Sequence, residues 1–237
     1  MKRLAIMQPY FFPYIGYWQL IHAVDRFVIY DDVNYIVRGW INRNRLLING
    51  QPGYITVPLQ QASQNRRICD ISLQTSPVWR DKLVKSVEIA YRKAPCFVET
   101  FSVIERIIRY ETDNLSDYLV HQLRTLSAFM GIQTQFVLTS RCYGNNDMSG
   151  QERILDICKR VGATNYINPQ GGQALYDRAN FIQNGLDLKF LIPSPIEYKQ
   201  FGSLHVPWLS IIDVLMFNGI KGTNKLLENY SVQWGDK

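Results

Sequence analysis

At 237 residues the chain has the length of one large domain, or of one domain carrying an insertion, and residues 1–237 read as a single α/β domain. Hydrophobic residues at 46% and charged residues at 19% sit near globular averages, which excludes disordered and fibrous classes. The net charge of +6 permits an anionic ligand, but the positive residues are spread along the chain apart from 38–45 and 66–67, and they do not form a nucleic-acid footprint.

Lys2 and Arg3 precede an apolar stretch, yet Gln8, Pro9, Pro13 and Gly16 interrupt it and no small-residue cleavage site follows, so a signal peptide is not expected. No window approaches the roughly 20 uninterrupted apolar residues of a membrane-spanning helix. The richest, 204–220, contains His205, Pro207 and Asp213, and a cytoplasmic location is expected. Residues 3–7 form an apolar run that reads as a buried strand, 15–23 as a helix and 26–30 as a second strand closed by Asp31-Asp32, together a βαβ unit. A β excursion follows over about 35–72. Runs at 40–48 and 54–59 flank the turn-rich Asn49-Gly50-Gln51-Pro52-Gly53, the pattern of a hairpin, and the polar 60–67 reads as loop.

A helical segment spans about 76–131. Ser76-Pro77 supplies an N-cap and a proline at the first helical position, and Trp79, Leu83, Val87 and Tyr91 recur at helical spacing. Pro95 ends that helix and opens another through Phe97, Phe101, Ile104 and Ile108. A third covers 114–130, with Gly131 as its stop. All three stripes read as core-facing. Alternation of strand and helix then resumes: a strand at 135–138, a helix opened by a Ser149/Glu152 capping box and closed at Gly162, strands at 165–167 and 186–192, and a buried helix at 209–217. The expected fold is a Rossmann-like, mostly parallel sheet with a small β-hairpin excursion and a helical segment. The four scattered cysteines lack metal-ligand or redox spacing and read as free buried thiols, and no metal site is expected.

Ligands in open α/β sheets lie beyond the carboxyl ends of the strands, and three segments fall there. In the first, Gln8, Tyr10, Tyr14 and Tyr17 put hydrogen-bonding groups on a loop stiffened by Pro9 and Pro13, and Gly16 opens the next helix where backbone N–H groups can meet a phosphate. In the second, Asp31 and Asp32 offer a general base, and Arg38, Trp40, Asn42 and Arg43 follow, with arginines suited to phosphate or carboxylate. In the third, Asn168, Gln170 and Gly171 belong to a tight loop that a ligand can approach closely. Asp213, an acid in an apolar helix, reads as a partnered buried carboxylate, and His22, His121 and His205 as ordinary structural partners. No nucleophilic triad signature is present.

The run Met7-Gln8-Pro9-Tyr10-Phe11-Phe12-Pro13-Tyr14-Ile15-Gly16-Tyr17 resembles the opening of the WbqC-like proteins. So do Tyr30-Asp31-Asp32-Val33, the stretch from Arg38 through Asn44, and Leu209-Ser210-Ile211-Ile212-Asp213. That resemblance implies a bacterial role in O-antigen or related surface-polysaccharide synthesis. The activity it implies is transfer of glycine or a related acyl group to a nucleotide-linked amino sugar, with the acyl group arriving on ATP, tRNA or another activated acyl carrier. Pro13-x-x-Gly16 after the first strand is also similar to the start of the HIGH-motif nucleotidyltransferases, which grip ATP phosphates with two histidines. Tyr14 and Tyr17 stand in those places here, and neither carries positive charge at neutral pH.

Overall fold

A computed structural model describes residues 2–202 and 204–234. Strand β1 (Arg3–Met7) leads through a loop into helix α1 (Ile15–Ala23) and returns as β2 (Arg26–Ile29). The excursion follows as the hairpin β3 (Arg43–Ile48) and β4 (Gln51–Thr56), then the short antiparallel pair β5 (Leu59–Gln60) and β6 (Ser72–Leu73). Helices α2 (Val78–Tyr91), α3 (Phe97–Ile108) and α4 (Leu115–Met130) complete it. The chain then alternates through β7 (Gln135–Val137), α5 (Gly150–Val161), β8 (Asn165–Pro169), α6 (Arg178–Gln183), β9 (Asp187–Pro193), α7 (Ile211–Leu227) and β10 (Tyr230–Trp234).

Six strands form the central sheet in the order β10-β9-β8-β1-β2-β7, parallel except for β10, which pairs antiparallel with β9. The first βαβ unit adds strands to one side of β1 and the later units to the other. The order therefore reverses between β1 and β8, the place where open α/β sheets leave a crevice. Strand alternation splits the core in two. Leu4, Ile6, Val28, Tyr166, Leu188 and Phe190 face α5 and α6. Ala5, Phe27, Ile29, Ile167 and Leu191 belong to a larger apolar cluster that runs through α1 and α7 into α2, α3 and α4.

Several sequence expectations shift in detail. The hairpin turn is tighter than the five-residue segment expected: Asn49 and Gly50 alone turn the chain, with φ of 51° and 77°, the geometry that Asn-Gly favours. Ser149 occupies the N-cap of α5, but its side chain makes no capping bond, so the capping box does not form. The α2 N-terminus likewise has no side-chain cap. Helix α7 runs ten residues beyond the expected 217 because Gly219, at φ 60° and ψ −172°, kinks it rather than ending it. The Met216 carbonyl, near that kink, accepts from the Cys96 N–H at 3.0 Å. The 60–67 stretch expected as loop contributes Gln60 to β5, and β10 and α6 were not anticipated.

The helical segment is tied to the sheet layer through Tyr91 at the end of α2. Its hydroxyl accepts from the Leu47 N–H at 2.9 Å and donates to Asp213 at 2.8 Å. Tyr91→Phe strips a buried amide and a buried carboxylate of one partner each, and should lower stability by about 1–3 kcal/mol. Urea unfolding reads this directly, and an unchanged midpoint would contradict it.

Candidate functional site

The loop between β1 and α1 is buried for much of its length, so its backbone groups need partners that regular structure does not supply. Side chains supply them. Asn44 on β3 donates to the Phe11 and Phe12 carbonyls at 3.0 and 2.8 Å, and Ser210 donates to the Phe12 carbonyl at 2.8 Å. Gln122 on α4 accepts from the Phe12 N–H at 2.9 Å and donates to the Tyr10 carbonyl at 3.1 Å. The Phe11 N–H reaches the Trp40 carbonyl, and the Pro13 carbonyl accepts from Trp18 Nε1 and the Ile211 N–H. These clamps hold Phe12 at φ 39°, a conformation that L side chains rarely adopt.

The loop sorts its aromatics. Phe11, Phe12, Tyr17 and Trp18 are buried, and Tyr17 donates to the Gln8 carbonyl at 2.8 Å, so Tyr17 packs the sheet end. Tyr10 and Tyr14 stay half-buried and line cavities. The larger, about 780 Å³, lies between the start of α1 and the irregular segment after β9, and Tyr14, Gly16, Tyr198, His205 and Trp208 stand in its wall. A second, about 270 Å³, shares Tyr14 and Trp208 with the first and adds Tyr10, Trp40, Asn44 and Arg45. The Tyr14 and Trp208 rings meet edge to face, with centroids 5.6 Å apart. Gly16 permits this arrangement: a Cβ there would sit 2.4 Å from the Tyr14 ring. Burial raises the Tyr10 and Tyr14 hydroxyls above their ordinary pKa, so both remain hydrogen-bond donors at neutral pH.

His205 faces the same cavity. Its Nδ1 lies 3.3 Å from the Tyr198 carbonyl, which only accepts, so the proton sits on Nδ1 and Nε2 keeps its lone pair. Behind it lies Asp213, wholly buried and receiving hydrogen bonds from Tyr91, Tyr198 (2.6 Å) and Gln200 (2.7 Å), the partnered carboxylate expected from sequence. Burial raises its carboxyl above the ordinary value, against the three donors that pull it down. The folded chain thus holds this proton more tightly than the unfolded one. Asp213 therefore contributes its full stabilisation below the ordinary carboxylate pKa of about 3.9 and loses it as pH rises through the raised folded value. Asp213→Asn removes that titration. Wild-type stability relative to the variant should fall as pH climbs from about 4 toward neutrality, and melting curves across that range with a constant difference would refute it.

The pair at the end of β2 is differently placed. Asp31 is fully buried and accepts from Ser116 at 2.7 Å, Thr139 at 2.8 Å and the Ser140 N–H at 3.1 Å. Asp32 accepts from the Ser140 hydroxyl and forms a buried ion pair with Arg153 at 2.6 Å. Arg153 in turn lies over the Tyr30 ring and bonds Asn145. Neither carboxylate lines the two aromatic cavities. Asp32 borders a separate cavity of about 540 Å³ beside α5. Because Asp32→Asn leaves Arg153 as a buried charge without its counter-charge, it should cost about 3–5 kcal/mol in stability. A denaturation midpoint equal to the wild type would overturn this structural assignment.

The remaining sequence candidates scatter. Gln8 lines neither aromatic cavity. Arg38 is exposed at φ 61°, and Arg43 donates to the Arg38 and Gly39 carbonyls and covers the Tyr54 ring, so neither borders the cavities. Asn42 is saturated by Tyr35 and the Val57 carbonyl. Asn168 is buried, its side chain lying over Gly172, where a Cβ would meet its Nδ2 at 2.0 Å. Gln170 and Gly171 are exposed in a 3-10 turn away from both cavities. Of the cysteines, Cys69 and Cys158 are buried, as expected, with burial pushing their thiols up to about 11 and about 12, whereas Cys142 is exposed and Cys96 only partly covered. Among the described residues no group of three His, Cys, Asp or Glu is placed to hold a metal, and no helix is long and apolar enough to cross a membrane. Sequence reasoning missed Arg45, Tyr198 and Trp208, and passed over His205.

The sheet and its aromatic loop define a mixed α/β protein with a mostly parallel sheet and a ligand-sized crevice beside its first strand. The chain belongs to the WbqC-like protein family, whose model matches residues 8–225. The uncharacterized protein Rv1507c of Mycobacterium tuberculosis is 29% identical over 228 residues, covering 95% of this chain and 98% of that one. No solved structure matches the chain.

Proposed function

We propose that this protein is a transferase that forms an amide between glycine or a related acyl group and the amine of a nucleotide-linked amino sugar. The observation that carries this reading is the cavity of about 780 Å³ at the α1 N-terminus, where Tyr14 and Trp208 offer flat rings to a sugar beside the imidazole of His205. Amide formation needs a base that takes a proton from the attacking amine, and His205 Nε2 has the free lone pair for it. It needs donors for the oxyanion that develops on the acyl carbon. The Tyr14 hydroxyl and the uncapped N–H groups of the first turn of α1 serve there. Arg45, in the adjoining cavity, provides the positive charge first sought in Arg38 and Arg43. Asp31 and Asp32 are positioning residues in this scheme, since their oxygens are already engaged. The strand order, reversing beside β1, favours a Rossmann-like ancestry for the sheet. With tyrosines in place of the histidine pair, of which Tyr17 is buried, adenylation by this chain itself is not assigned.

A non-catalytic nucleotide-sugar binding role in a polysaccharide assembly system is favoured by one observation, the complete engagement of both carboxylates at the end of β2. The two readings part in one experiment. The purified protein is incubated with nucleotide-linked amino sugars and candidate acyl donors, glycine with ATP among them, and the sugar is weighed by mass spectrometry. The transferase reading expects an acylated sugar, with turnover falling about 100-fold or more in His205→Ala while sugar binding persists. Binding without product from any donor would sink the transferase reading and leave the binding one.

A further inference from the structure

The outer face of the β3–β4 hairpin carries an alternating stack of cations and rings. Register places Arg45 directly opposite Tyr54, and the two-residue repeat of a strand puts Arg43 on the same face. The Arg43 guanidinium lies 4.7 Å from the Tyr54 centroid, Tyr54 stacks on Trp40 at 6.4 Å and 25°, and Arg45 lies 5.5 Å from the Trp40 centroid. Trp40 and Tyr54 are 38% and 56% exposed, unusual for large rings that pack with so many partners. The stack ends at the smaller cavity, whose lining holds one cation, Arg45, and no carboxylate. Arg45 Nε is buried and has no hydrogen-bond partner, while its Nη2 is spent on the Trp208 carbonyl at 3.1 Å. Among the described residues no carboxylate lies within ion-pair distance of Arg45.

A buried guanidinium N–H without an acceptor, beside exposed parallel rings, matches a ligand that joins a flat aromatic group to anionic oxygens. We propose that the hairpin is the binding site for the nucleoside diphosphate end of the ligand. The base stacks on Trp40 and Tyr54, the diphosphate oxygens meet Arg45, and the sugar passes between Tyr14 and Trp208 into the larger cavity. This rests on the reading of the ligand as a nucleotide-linked sugar and fixes its orientation: nucleotide at the hairpin, amine toward His205. The geometry also explains why Tyr14 and Trp208 wall both cavities, since they stand where the two ends of one ligand join.

Isothermal titration with UDP, ADP, dTDP and GDP, and with inorganic pyrophosphate, tests this. The wild type should bind at least one nucleoside diphosphate. Trp40→Leu should weaken that binding about tenfold or more and leave pyrophosphate binding unchanged, and Arg45→Gln should weaken both. Arg45→Lys should recover part of the pyrophosphate affinity, because it restores the charge without the fork. Melting temperatures accompany each variant, and Trp40→Leu, an exposed position, carries the test if an Arg45 variant does not fold. Wild-type affinity for the nucleoside diphosphate in Trp40→Leu and in folded Arg45 variants overturns the hairpin site while leaving the nucleotide-sugar reading intact. Failure of the wild type to bind any of the four nucleotides overturns that reading, and this site with it.

Discussion

The carbonyl of Phe12 accepts from Asn44 and Ser210 at once, and the peptide groups on either side of it are held by Gln122, Trp40 and Trp18. This tethering is the constraint on which the rest of the site depends. A strand that ends at Met7 would ordinarily continue into a solvated loop. Here the loop turns inward and buries Phe11 and Phe12 against the core, so its polar backbone must be matched group by group by side chains from other parts of the chain. Hydrogen bonds of this kind contribute little each in net stability, but leaving one unmade inside the protein is costly, so they fix a conformation more than they strengthen it. What they fix is the exit direction of residues 13–16, and so where the Tyr14 ring and the first N–H groups of α1 point.

The excursion between β2 and β7 follows from the same requirement. Asn44 lies on its hairpin, Gln122 on its last helix, and Trp40 in the loop that leads into it. The excursion is thus both the wall of the smaller cavity and the scaffold of the β1–α1 loop. At the neighbouring strand end, Asp31 and Asp32 do a similar job by charge. They draw in Ser116 from α4, Thr139 and Ser140 after β7 and Arg153 from α5, joining the helical segment to the second half of the sheet.

Much of this architecture is legible in the residues. The strands of the parallel sheet are short apolar runs, the hairpin announces itself in Asn49-Gly50, and the helices carry stripes such as Leu83, Val87 and Tyr91 that the structure buries. The antiparallel edge β10 escaped even though Tyr230, Val232 and Trp234 alternate with Ser231 and Gln233, because a five-residue alternation at a chain end carries little weight on its own. For the site, Tyr14 and Gly16 were readable because a dense aromatic loop opens a helix at a strand end. Arg45 was not, because it is one of two arginines two apart on a strand, Arg43 and Arg45, and only the position of the Trp208 segment tells them apart. Tyr198, His205 and Trp208 come from an irregular stretch whose path no local pattern encodes. The Asp31-Asp32 pair shows the opposite limit: two acids at a strand end look the same in sequence whether they await a substrate or an arginine 121 residues away.

The span of those tethers sets the order in which the molecule matures. Gln122 lies 110 residues from Phe12 in the chain, and Ser210 lies 198. On a ribosome the aromatic loop emerges among the first residues, long before either partner exists. Contacts between segments so distant form late, after their connecting chain has been ordered. Until α7 docks, Phe11 and Phe12 are exposed hydrophobic surface on an unfinished chain, and the cavity is absent. The binding site is therefore a sign of completed folding, and any truncation that removes α7 yields a polypeptide with neither pocket nor covered loop, a candidate for chaperones rather than for substrate.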